Sequence, residues 1–209
     1  MSVSKGTRVT LFVVLLLIVD QVVKILVKTH MSVGQSIPVF GSWFQILFIE
    51  NNGMAFGLQF GEGFGKLALS LCRLGLIALI IVYMCRLLRR PSTPSGVLYG
   101  LAAILCGAIG NEIDSMFYGL IFNYAPFLYG KVVDMLYFPL IDTTLPANFP
   151  IWGGRHIIFF RPIFNIADSC ITCGAFYLLL FQWKFFAKAE QSKNSHNHRA
   201  QHIQRIQEH

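Results

Sequence analysis

The chain has 209 residues, a net charge of +7, 55% hydrophobic residues and only 13% charged ones, with a mean hydropathy of +0.58. A soluble domain carries about a quarter of its residues as charges, so this composition excludes one and points to a membrane protein. The basic excess is not a nucleic-acid footprint, because it clusters beside apolar runs: Lys5 and Arg8, then Arg86, Arg89 and Arg90, then Lys184, Lys188, Lys193, Arg199 and Arg205.

Four stretches approach the roughly 20 apolar residues that cross hydrocarbon: 8–27, 67–88, 97–122 and 162–186. The basic residues flank them so that both termini and the 86–95 loop face the cytoplasm, with 34–66 and 123–161 outside. A single polytopic domain over 1–190 is expected, followed by a polar cytoplasmic tail at 191–209. Lys5 and Arg8 before an apolar run imitate a cleavable signal peptide. No small-x-small site follows, and the apolar run resumes after Lys24, so a retained first span is expected.

Within the first run, Asp20 and Lys24 are four apart, hence on one helix face and able to pair; a structural ion pair is the plainer reading. After His30, residues 36–50 mix aromatic and β-branched types around a Pro38-Val39-Phe40-Gly41-Ser42 break, which predicts short strands or a hairpin. Trp43, Phe44, Phe48, Phe56, Phe60 and Phe64 suit a headgroup zone. Gly61-Glu62-Gly63-Phe64-Gly65 lacks the lysine-serine ending and βαβ frame of a phosphate loop.

The third run carries Cys106-Gly107-Ala108-Ile109-Gly110-Asn111-Glu112-Ile113-Asp114, whose small residues allow close helix contact. Asn111 and Asp114 share a face that should point into the bundle. From 123 to 161, Pro126, Pro139, Pro146, Pro150 and Gly153-Gly154 break any long helix, and Tyr124, Phe127, Tyr129, Tyr137, Phe138, Phe149 and Trp152 suggest an interfacial segment.

Asp134 lies in that segment and Asp168 near the start of the fourth run. A carboxylate near hydrocarbon costs several kcal/mol by some scales and roughly 3 by others. Two that meet at a membrane surface would share a proton and suit an acid–base hydrolase. Cys170-Ile171-Thr172-Cys173 is formally C-x-x-C, although two small apolar residues on one helix face explain it more simply. His198 and His202 have metal-like spacing, but in a polar tail without a third ligand they read as solvated.

The phrases Asp20-Gln21-x-x-Lys24, Asn51-x-Gly53-x-Ala55-Phe56, Gly107-Ala108-x-Gly110-Asn111-x-x-Asp114, Val132-Val133-Asp134 and Phe164-Asn165-x-Ala167-Asp168-Ser169, in this order, resemble those of lipoprotein signal peptidases (signal peptidase II). The match runs from about residue 8 to 186. It implies an aspartic endopeptidase of the bacterial inner membrane. The family removes the signal peptide of diacylglyceryl-modified prolipoproteins by cleaving before the lipidated cysteine. The resemblance assigns catalysis to Asp134 and Asp168. Asn51, Gly53, Asn111, Asp114, Asn165, Asp20 and Lys24 would support the dyad or bind substrate.

It implies no metal or cofactor, membrane lipid and prolipoprotein as partners, and a monomer. The implied fold is a mainly α membrane protein: four transmembrane helices, a small extracytoplasmic β-cradle near 34–60 and a mobile interfacial helix or loop within 123–161, its moving part near 123–133. The chain also departs from the family pattern. Ser115 stands where an arginine is usual after Asp114, Met54 replaces alanine, Cys106 glycine and Met135 phenylalanine, and 137–160 looks like an insertion.

Two other classes compete. The acidic residues Asp20, Glu112, Asp114, Asp134 and Asp168 would suit a proton relay in a small transporter, but no internal repeat is visible. A four-helix thiol oxidoreductase would need a second extracytoplasmic cysteine pair, which the chain lacks.

Overall fold

The computed structural model describes residues 4–52, 64–148, 150 and 153–187. Helix α1 (Lys5–His30) opens on Ser4, whose Oγ accepts the backbone N–H of Thr7 at 3.1 Å, so one orphan donor of the first turn is satisfied. Lys28 and His30 sit in its last turn, where cations suit the helix dipole. Helix α2 (Phe64–Leu88) runs back, and α3 (Ser95–Ile113) returns through a π-helical stretch at Asp114–Tyr118 into the single turn α4 (Gly119–Ile121). Lys5 Nζ donates to Thr93 O at 3.1 Å, which ties the start of α1 to the α2–α3 connection at one end of the bundle.

Among the described residues three helical runs are long and apolar enough to cross a membrane: Lys5–His30, Phe64–Leu88 and Ser95–Ile121. The fourth predicted span, 162–186, is shorter than expected, since helix α5 covers Ile166–Phe181, with 16 residues. Its predicted first residues do other work: Ile163–Phe164 form strand β6 and Asn165 is the helix cap. Hydropathy does not separate a short apolar strand from the start of a helix.

α3 is the central helix, packed against α1, α2 and α5. Lipid is as apolar as leucine, so these helices associate through close packing and polar contacts rather than burial from water. The small residues provide the closeness. A Cβ on Gly107 would lie 2.1 Å from the carbonyl oxygen of Ala167, and one on Gly174 2.7 Å from that of Gly100. Val9, Ile77, Met84, Leu98, Leu105 and Leu178 fill the core beneath.

At the other end of the bundle stands a four-stranded antiparallel sheet in the order β1 (Ser36–Phe40), β2 (Phe44–Asn51), β3 (Val132–Tyr137), β6. Irregular register between Pro38 and Phe40, and between Ile46 and Ile49, bends it. Phe48, read from sequence as a headgroup residue, is buried with Val27, Tyr118, Val133 and Met135 and fastens the sheet to α1 and the π-helical stretch. Of the other aromatics read that way, Trp43 and Phe64 are exposed and Phe44 is half-buried, whereas Phe56 and Phe60 lie outside the described residues.

The cradle read at 34–60 therefore draws half its strands from elsewhere, and its 53–60 portion lies outside the described residues. The 123–161 segment is not one interfacial element. Among the described residues no helix occupies 123–133: turns there fold back on the π-helical stretch, with Gly130 N–H donating to Ser115 O at 2.8 Å. Gly130 permits this approach, because a Cβ there would stand 2.1 Å from the Asp114 carbonyl oxygen. Then comes β3, and the long stretch after it is a hairpin of β4 (Ile141–Thr144) and β5 (His156–Phe159).

Candidate functional site

Asp134 and Asp168 enter the site from different architectures. Asp134 is third in β3, paired opposite Ile49 of β2, and is 3% exposed. Asp168 is in the first turn of α5, three residues after its cap, where the positive end of the helix dipole meets its carboxylate. The residue that joins them is Asn165. Its Oδ1 accepts Asp168 N–H at 2.9 Å, while Asp168 Oδ2 accepts the Asn165 backbone N–H at 3.3 Å, a reciprocal capping box. Its Nδ2 donates to Asp134 Oδ1 at 2.7 Å.

Further amides complete the frame. Asn51 Nδ2 donates to the other oxygen of Asp134 at 3.0 Å. Asn111 Nδ2 donates to Asp168 Oδ1 at 2.7 Å. Which way Asn111 points follows from its neighbours: Lys24 Nζ donates to its Oδ1 at 2.9 Å and Asn165 Nδ2 does so at 3.1 Å. An ammonium has no acceptor to offer, so the amide nitrogen must face Asp168.

Beneath lies a buried ionic cluster. Lys24 Nζ stands 3.0 Å from Asp20 and 2.8 Å from Asp114, all three side chains at 1% exposure or less. Asp20 Oδ1 accepts Ala167 N–H at 2.9 Å, and Asp114 Oδ2 accepts Val133 N–H at 3.3 Å. The cluster thus grips the residue before each site aspartate. Asn111, at the end of α3, and Asp114, at the start of the π-helical stretch, divide the work, the first on Asp168 and the second on Lys24. Gln21 was quoted in the sequence only as part of a phrase. Its Nε2 donates to Asp20, Gly110 O and Asp114 at 3.2, 3.1 and 3.0 Å, so it belongs to the cluster as well.

Burial, with the Asp168 charge next in weight, raises the Asp134 carboxyl to about 7 against the opposing pull of Asn51, Asn165 and Lys24. A carboxyl whose pKa is higher folded than unfolded favours folding below its ordinary value, and that contribution is lost as pH rises through the folded value. Wild-type protein should accordingly lose thermal stability between about pH 4 and 7, and Asp134→Asn should flatten that slope. Parallel slopes in thermal scans of the two proteins would refute the assignment. At the rim, burial works to raise Glu50, but Lys28 and Lys131 outweigh it and hold the carboxyl below its usual range.

Gly53 lies outside the described residues, as do His198 and His202. Cys170 makes its thiol hydrogen bond to Cys106 on α3, not to Cys173, which is exposed; the C-x-x-C spacing therefore pairs nothing. Among the described residues no group of three or more His, Cys, Asp and Glu is placed to hold a metal.

The family model for signal peptidase (SPase) II matches residues 12–184. The chain belongs to the signal peptidase II family. It is 45% identical to the lipoprotein signal peptidase of Porphyromonas gingivalis, covering 84% of this chain and 83% of that one. It is 37% identical to the lipoprotein signal peptidase of Amoebophilus asiaticus, over 79% and 73% of the two chains. A bacterial membrane enzyme solved by the in meso method at 2.3 Å resolution shares the fold, with a TM-score of 0.60 at 24% identity over 87% of this chain and 90% of that one. The membrane peptidase expected from the sequence motifs is the family found.

Proposed function

We propose that Asp134 and Asp168 are the catalytic dyad of this signal peptidase II family member, and that it cleaves diacylglyceryl-modified prolipoproteins before the lipidated cysteine. The observation that carries this is Asn165, one side chain bonded to both aspartates in a nearly closed polar frame. Two carboxyls so held share a proton, since both cannot ionise cheaply. Asp134, raised to about 7, is the member suited to hold it near neutrality. Asp168 at the helix end is suited to act as the carboxylate.

In the reaction Asp168 takes a proton from a water while Asp134 donates a hydrogen bond to the scissile carbonyl oxygen. The water oxygen adds to the carbonyl carbon while Asp134 passes its proton to the carbonyl oxygen, which forms a tetrahedral diol with Asp168 protonated and Asp134 ionised. Asp168 then returns a proton to the departing amine, the C–N bond breaks, and Asp134 recovers its proton as the acid re-forms. Asn51, Asn111 and Asn165 hold the carboxylates in place, with the Asp20, Lys24 and Asp114 cluster fixing the backbone at Ala167 and Val133 behind them. Gly53 takes the same supporting role from the family pattern.

The sheet and dyad stand at the end of the bundle away from the Lys5–Thr93 contact. With the basic flanks inside, that end is the outer face of the cytoplasmic membrane, where water and a lipid-borne peptide bond meet. The enzyme works as a monomer, and its substrate arrives sideways from lipid.

The test uses purified full-length protein in lipid with a prolipoprotein bearing the diacylglyceryl group and the same protein without it. Release of the signal peptide from the modified form alone is the expected result. Equal cleavage of both forms would remove the lipid from the specificity, and no cleavage by folded enzyme would remove the substrate class.

A further inference from the structure

α2 packs on α3 through a sparse face. Ser70, Ile77, Met84 and Leu87 are its buried residues, and Arg73 lies three after the first and four before the second, on the same face. A guanidinium in a membrane-spanning helix is expensive and normally marks function or a partner. Here Arg73 Nη1 meets Glu112 at 3.2 Å and Ser115 Oγ at 3.3 Å. Ser115 in turn donates to the carbonyl of Asn111 at 3.1 Å, and Asn111 is the residue that holds Asp168. The cation is thus parked one helical turn from a dyad ligand.

It is also only partly used. Both contacts run through Nη1, which leaves the Nε–H and the two Nη2–H groups without an acceptor among the described residues. None of these is an enclosed orphan, and the side chain stays 18% exposed. Ser115 makes the arrangement possible. A small hydroxyl both accepts from Arg73 and donates to α3, whereas a long cation at position 115 would occupy the same ground beside Glu112.

We propose that Arg73 is a substrate-binding residue of this enzyme: its guanidinium, carried on α2 and docked on Ser115 and Glu112, donates to a backbone carbonyl of the signal peptide beside the scissile bond. The inference rests on the dyad reading above and adds a residue to it. The cation that the family pattern places on α3 is supplied here by another helix, and Arg73, Glu112 and Ser115 form one unit.

The test is kinetic and uses full-length enzyme with the diacylglyceryl-modified prolipoprotein. Arg73→Gln alone would leave Glu112 buried without its cation, so the informative variant is Arg73→Gln with Glu112→Gln, which removes both charges. Losing a charged hydrogen-bond donor to substrate should lower kcat/KM by about ten- to a hundredfold. The exchange Arg73→Ser with Ser115→Arg, which returns a guanidinium from α3, should recover most of that loss. Wild-type kcat/KM in the neutral pair would overturn the proposal and leave Arg73 as a counterion. A loss that the exchange does not recover would overturn it too. Asp168→Asn, assayed alongside, tests the dyad separately, since activity there would strike that reading whatever Arg73 does.

Discussion

Asp134→Asn and Asp168→Asn should each reduce cleavage of lipidated prolipoprotein by about 10²–10⁴-fold, the usual weight of a positioned acid or base. Both variants should remain folded, and the hydrogen bonds say why the cost is small but not zero. Each carboxylate accepts on both oxygens: Asp134 from Asn165 and Asn51, Asp168 from Asn111 and the Asn165 backbone. An asparagine keeps one of those bonds and turns its own NH2 toward a donor at the other. That loses about 1 kcal/mol, against a total stability of about 5–15, and part of it returns because a charge is no longer buried. The measurement is an initial rate by gel beside a thermal unfolding midpoint in the same detergent. A folded variant that cleaves at the wild-type rate would end the dyad assignment.

Lys24→Met should be the most destabilising single change outside the packing core. The ammonium has three partners, Asp20, Asp114 and Asn111, and no exposed surface. Without it two buried carboxylates lose the cation that faces them, a loss of about 3–5 kcal/mol. The triple change Lys24→Met, Asp20→Asn and Asp114→Asn should recover much of the stability, because neutral amides can be buried more cheaply than unpaired charges. Activity should not return with it. Asn111 would have lost the ammonium, one of the two donors that orient its amide toward Asp168. Unfolding midpoints and rates across the single and triple variants separate the two effects, and a single variant within about 0.5 kcal/mol of wild type would show that the cluster carries little energy.

How much of this was legible in the sequence depends on how local each feature is. Asp20 and Lys24 are four apart, and the helical period alone places them together. The three long spans follow from hydropathy and length. Partners far apart in the chain were hidden. Nothing near Asp20 announces that its carboxylate caps Ala167, 147 positions on.

Strand β6 was read as helix because Ile163 and Phe164 are as apolar as the span they precede. The available signal was Asn165 with Asp168 three later, a capping box that sets the helix start. Arg73 was passed over although it stands alone in a strongly apolar run, which is itself the clue. Its partners come from tertiary packing of α2 on α3, and those no spacing rule could name.

One consequence follows from where Asn165 sits. It caps the last described long helix and holds both aspartates, so the first turn of α5 and the reactive centre are a single object. Asp134 is made some thirty residues before Asp168, yet it has no companion until α5 emerges and winds. With these two aspartates as the dyad, the enzyme would stay silent during synthesis until α5 has been delivered. Fraying of that one helical turn would part Asn165 from Asp168 and so break the frame around both carboxyls. The protein's activity should then report on the integrity of helix α5.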